Sequence, residues 1–287
     1  MRISYNLAMV AINLNRLENQ LQALQEKFAE PEAFREGLHR FFSFYHQYSR
    51  RKHEDSIPKS FMRQYDLPVQ IVPQLEFSLK QLAKSHCEQS FALIEELWKD
   101  DFFEARDLAC FILGQQAESE TERVINQIES WLAQAQDRAV VSSVFKKACQ
   151  GLLEFAPKQF IGLTERLLVS KDLRQQGYGL MALGIFLPKA QHNDLPTIYG
   201  MVRPFIACSD LQLQSRLAEL VNELVKQSPG EVAYLLKEVL SDTEGAEIEQ
   251  RLRSYLSFFD DNYAIGIQEA IKNHATLRAK RLKSVDN

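Results

Sequence analysis

The sequence predicts an all-α fold, an α-solenoid of stacked antiparallel helix pairs, and three observations carry that prediction. Apolar residues recur at three- and four-residue steps through most of the chain. The 11 glycines and 9 prolines are few for 287 residues and fall mostly between the apolar runs. That distribution suits long helices better than many short strands. From Glu88 onward a helix pair recurs with a period of about 40 residues, as in HEAT and armadillo arrays. One such pair cannot bury both its apolar faces alone, and stacked copies can.

Composition sets the outer bounds. Hydrophobic residues make up 45% of the chain, enough for a large core. A formal charge of −4 exerts no global pull on nucleic acid, so a nucleic-acid binder would need a local basic face. Cys87, Cys110, Cys149 and Cys208 are widely spaced and form no CxxC pair, so buried reduced thiols are expected. No stretch approaches the ~18 apolar residues of a membrane span. The N-terminus lacks a signal peptide's basic and long apolar regions. A cytoplasmic location is the expectation.

The elements follow in order. Residues 1–30 open irregularly and become an amphipathic helix with Leu17, Leu21, Leu24 and Phe28 on one face. Pro31 suits the first turn of a second helix, which carries Phe34, Phe41, Phe42, Phe44 and Tyr45 to about Tyr48. Aromatics on one helical face pack inward, so this stripe reads as core. Arg50, Arg51 and Lys52, followed by HEDSIP, mark the clearest break, a solvated loop as charge runs this short usually are, with a phosphate-touching hinge as the alternative. A short helix is expected over SFMRQYD. A clearer one runs from Pro73 to about Ser85, with Leu75, Phe77, Leu79 and Leu82 inside. Helices at about Glu88–Lys99 and Phe102–Leu113 then meet at Asp100 and Asp101, residues suited to start a helix.

The repeat is carried by a small residue in each second helix: Ala109, Ala148, Gly179 and Ala218, spaced 39, 31 and 39 residues apart. Asp100, Ser170 and Ser209 each stand nine residues earlier, where N-caps are expected. The first helices are Thr121–Gln134, Pro157–Val169, Leu195–Ala207 and Pro229–Leu240, and a fifth copy starts at Ser241. The chain divides accordingly into N-terminal capping helices (1–57), a repeat domain (58–274) and a basic tail (275–287) that frays.

Between Tyr65 and Gln115 the residues YDLPVQIVPQLEFSLKQLAKS and FALIEELWKDDFFEARDLACFIL resemble the DNA alkylation repair family of HEAT-like proteins. The carrying positions are Leu79, Leu82, Ala83 and Lys84, then Leu97 and Trp98, then Glu104, Arg106, Leu108 and Ala109. The likeness extends to about Leu187. It implies N-alkylpurine DNA glycosylases that hold duplex DNA on a basic concave face made by the second helices. A tryptophan and an aspartate lie on one such helix, and an arginine on the next. A carboxylate and aromatic faces suit the positive transition state of glycosidic cleavage. The matching stretch here, Ala139–Ser143, holds neither tryptophan nor aspartate, and the arginine position is nearest Gln176. Glycosylase chemistry is therefore not implied by the residues themselves. Asp137 and Asp172 are the candidate relocated carboxylates.

No other catalytic motif stands out. The six histidines form no HExxH, although His39 and His46, seven apart, can share a helical face. Gly177 and Gly179 follow no strand and read as close helix packing rather than a phosphate loop. No cofactor or metal is expected. Arg106, Lys146, Lys147, Arg174, Arg216 and Arg251, with Arg253, fall on the second helices, where a phosphate track for duplex DNA would form. The alternative is a non-enzymatic scaffold that takes a protein or peptide in the same groove, with these cations tied to neighbouring acids.

Overall fold

The computed structural model describes residues 13–49, 61–189, 194–207 and 210–285. The irregular opening, the Arg50–Lys52 break and Cys208 lie outside them. The fold is all-α, and the chain divides into two compact units, Met1–Phe160 and Ile161–Asn287.

The first unit contains α1 (Leu14–Gln25), α2 (Pro31–Ser49), α3 (Ile71–Ser85), α4 (Cys87–Trp98), α5 (Phe103–Gln115) and α6 (Thr121–Gln134). It continues with α7 (Arg138–Ser143), a π-helical turn (Val144–Ala148) and α8 (Cys149–Phe155) as one rod. Helices α1, α3, α5 and the α7–α8 rod lie side by side, and α2, α4 and α6 cover them. Phe34, Phe41, Phe42 and Tyr45 are buried, so the aromatic stripe of α2 is core. Trp131 is buried too, stacked on Trp98 at 3.9 Å with an 8° interplanar angle.

Two expectations fail here for physical reasons. The SFMRQYD segment is not helical where it is described, because its backbone groups are bound sideways. The Arg63 carbonyl accepts from Phe103 N at 2.9 Å, and Tyr65 N donates to the buried Glu104 carboxylate at 2.8 Å. Phe77 is not inside. The buried stripe of α3 steps by four through Ile71, Leu75, Leu79 and Ala83. Phe77 lies two residues from both leucines, roughly 200° round the helix, and is 79% exposed.

Glycine sets the spacing between α5 and the rod. A Cβ on Gly114 would stand 2.4 Å from the Lys147 carbonyl oxygen, and one on Gly151 would stand 2.0 Å from the Gly114 carbonyl oxygen. Cys110 and Cys149 lie buried nearby, and burial pushes both thiols well above the ordinary cysteine range.

The second unit takes most of α9 (Pro157–Leu168) and all of α10 (Leu173–Phe186), α11 (Leu195–Ala207), α12 (Leu211–Gln227), α13 (Pro229–Asp242), α14 (Ala246–Tyr255) and α15 (Asp261–Val285). Helices α10, α12 and α14 form one layer, and α11, α13 and α15 the other. The caps shift from the expected serine positions. Asp172 and Asp210 cap α10 and α12, while the Ser170 hydroxyl accepts from Asp172 N at 3.2 Å. Ser209 lies outside the described residues. Helix α15 continues through the basic stretch after Ala275 to Val285. Gly179 lets α10 approach Leu168, and Gly177 faces the Arg216 guanidinium, so both glycines serve packing.

Glu249 is the buried ionic centre of this unit. It accepts from His274 Nδ1 at 2.9 Å and from Arg278 Nε at 3.2 Å. Burial opposes its ionisation, but these two donors outweigh burial and hold its carboxyl below the usual glutamate range. A carboxyl whose folded pKa is depressed stabilises the fold above its unfolded pKa and loses that contribution as pH falls. Glu249→Gln is therefore expected to cost about 2 kcal/mol at pH 7. Urea melts should show that cost shrinking below about pH 4, as wild-type Glu249 takes up its proton.

No described helix is long and apolar enough to cross a membrane.

Candidate functional site

One polar cluster of the first unit forms where the rod meets α5 and α3. Lys147, at the π-helical turn, reaches Asp107 on α5 and Glu76 on α3, and Ser143 donates to the other oxygen of Asp107. Lys147 lies within the π turn, which adds a residue to the helix. All three charged side chains keep an edge in water, between 11% and 24% exposed. Two carboxyls share one ammonium, so the site is anionic when all three are charged. At Glu76 burial outweighs the pull of Lys147, and the carboxyl holds its proton above the usual glutamate range. At Lys147 burial acts downward, but the two carboxylates prevail and keep it charged. Asp107 is fixed from two sides, by Ser143 and Lys147, and with Glu76 ionised the site carries one net negative charge, suited to stabilising a cation.

A second network ties α2 to the α4–α5 joint. His39 Nδ1 meets Tyr65 Oη at 2.7 Å, and its Nε2 meets the buried Asp100 carboxylate at 2.8 Å. His46 bonds the Tyr65 carbonyl, so the two histidines seven apart grip one tyrosine. Tyr65 stacks on Phe102 at 4.3 Å. Burial is the first cause holding its hydroxyl above the ordinary tyrosine range. Asp100 accepts from Phe102 N at 2.9 Å and serves the joint rather than the first turn of α5.

The predicted cations are distributed as follows. Arg106 donates to the Asp100 carbonyl at 3.0 Å and lies over Trp98. Lys147 is held by its two carboxylates, whereas Lys146 is exposed. Arg174 pairs with Asp172 at 3.0 Å. Arg216 lies over Tyr178 at 5.6 Å. Arg251 is buried and donates to the Ile206 carbonyl at 2.6 Å, closing the end of α11. Arg253 is exposed. Within the first unit, Arg106 and the two lysines occupy neighbouring helices of one layer. Within the second, Arg174, Arg216 and Arg251 do the same.

The candidate carboxylates Asp137 and Asp172 are both N-caps. Asp137 accepts from Ala139 N and Val140 N at 2.8 and 3.1 Å, and also from Phe61 N at 2.6 Å. Asp172 is bonded by Arg174, first through the side chain and then through the backbone, which keeps its carboxyl below the usual range. The acids that meet Lys147 are Glu76 and Asp107, which sequence reasoning passed over. The available signal was Asp107 inside the apolar run of EARDLACFIL, since an acid flanked by core residues needs a partner.

Comparison with known proteins adds one informative match. A family model described as DNA alkylation repair enzyme matches residues 70–232. No curated protein matches the chain. One solved structure, described as an engineered protein, aligns over 90% of this chain and 71% of its own at 13% identity, with a TM-score of 0.37.

Proposed function

Because the chain belongs to the DNA alkylation repair enzyme family, we propose that it binds damaged nucleic acid, with Asp107, Glu76 and Lys147 meeting a cationic alkylated base. The observation that carries this reading is the Asp107 carboxylate, fixed by Ser143 and Lys147 beside the stretch where the family's functional helix is expected. Alkylation at a purine ring nitrogen puts positive charge on the base, and glycosidic cleavage moves it to the sugar. A fixed carboxylate at the edge of solvent stabilises both. Ala139–Ser143 supply no carboxylate, so base release by this chain would rest on Asp107.

Two measurements test the proposal. Anisotropy of a labelled duplex, with and without an abasic-site analogue, is expected to show binding that weakens steeply with salt. Base release from methylated DNA is expected to fall at least about 100-fold in Asp107→Asn, the scale of losing one preorganised electrostatic group. Asp137→Asn and Asp172→Asn are expected to leave it within about threefold. Binding without release would restrict the function to recognition. No binding even at low salt would sink the proposal.

The scaffold reading has its own support. Lys147, Arg174 and Arg251 are engaged by protein groups, which thins a phosphate track. On that reading a protein or peptide occupies the groove, and DNA is ignored at every salt concentration.

A further inference from the structure

The face of the first unit that bears the carboxylate–lysine site also bears an aromatic and cationic surface. On α3, Phe77, Lys80 and Lys84 follow at i, i+3 and i+7, which places them on one stripe, and all three are exposed. Lys84 Nζ lies 5.4 Å from the ring centroid of Phe155, the last residue of α8, itself 41% exposed. Two bridges therefore pass across α5, Glu76 to Lys147 and Lys84 to Phe155. The other side of α5 is packed on α4, so both bridges run over the open side of the layer. The stripe is not neutralised from its own helix, because the sole acid of α3 is Glu76, and Lys147 holds it. Glu154 is the exposed acid of α8.

A lone exposed phenylalanine is ordinary. Two exposed rings with two lysines between them on one open face are the elements of a stacking platform. Lysines attract the phosphates, and a flat ring accepts the face of any base. In a duplex, base faces are covered by their neighbours, so only an unpaired base can use Phe77. We infer that this face binds unpaired nucleotides, in a single strand or displaced from a duplex, by stacking on Phe77 and Phe155 with Lys80 and Lys84 on the phosphates. The inference rests on the nucleic-acid reading above and narrows its substrate to strands with accessible base faces.

The test uses the full chain and a fluorescein-labelled strand of about 12 nucleotides, within the span such grooves cover. The strand is offered alone and in duplex. Wild type is expected to prefer the single strand by about tenfold. Phe77→Ala should lower single-strand affinity about tenfold and leave duplex affinity unchanged, while Phe77→Tyr should restore it. Stacking has its own signature, since 2-aminopurine in the strand should be quenched by wild type and not by Phe77→Ala. Lys80→Gln with Lys84→Gln should weaken both substrates and flatten the salt dependence. Salt-dependent duplex binding without single-strand preference or a Phe77 effect would overturn this inference alone. Failure to bind either substrate at low salt would overturn the nucleic-acid reading with it.

Discussion

Gly151→Ala is expected to destabilise the protein by about 3 kcal/mol, at the upper end of what overpacking costs. The added methyl would stand 2.0 Å from a backbone oxygen of α5 and 2.7 Å from the Ala117 Cβ. Neither neighbour is the loose end of a side chain, so the helices must part. The ~1 kcal/mol that alanine gains over glycine inside a helix works the other way and is outweighed. Gly200→Ala in α11 is the matched control. Its Cβ meets nothing within 4 Å on an exposed helical position, so only the propensity gain remains. Urea unfolding of the two variants should move the midpoint in opposite directions. Equal shifts would mean that the contact between α5 and the rod is not set by Gly151.

Lys147→Gln is expected to cost about 3 kcal/mol at pH 7, because it leaves the largely buried Glu76 and Asp107 without the cation they share. The pH dependence separates this cause from lost packing. In wild type the Glu76 carboxyl is already held above the usual range by burial, with Lys147 pulling it down. A carboxyl whose folded pKa is raised favours the fold below its unfolded pKa and loses that contribution as pH rises through the folded value. Removing Lys147 raises the folded value further. The deficit of the variant should therefore be largest at neutral pH and shrink through the carboxylate range as the acids take up protons. Parallel stability curves for variant and wild type from pH 4 to 8 would rule out the electrostatic cause.

Much of the fold was legible in the sequence because helix signals are local. The limits of α6 and α11 match their apolar periodicity residue for residue, and Pro31 opens α2 as its fixed φ allows. The errors occur where a distant group decides. The Tyr65 segment forgoes a helix because Glu104 and Phe103, some 40 positions on, take its backbone groups. Phe77 is apolar by type, but its two-residue offset from the buried leucines turns it to solvent. The candidate site was half legible. Lys147 could be singled out as a basic residue on a second helix, but its partners come from α3 and α5, and nothing in their spacing reports that meeting. Asp107 looks like one acid among many until packing places it against Ser143.

The π-helical turn carries a consequence for how this gene could change. Such a turn holds one residue more than an α-helix needs, so Val144–Ala148 behave as an insertion absorbed in the helical register rather than looped out. Deleting a single codon there would restore ordinary winding without breaking the helix. Everything downstream to Phe155 would then turn by about 100°. Gly151 would leave the Gly114 carbonyl and Phe155 would leave Lys84. One in-frame deletion would thus rotate the second half of the rod out of phase with its neighbours, a larger change than any single substitution on that face could make.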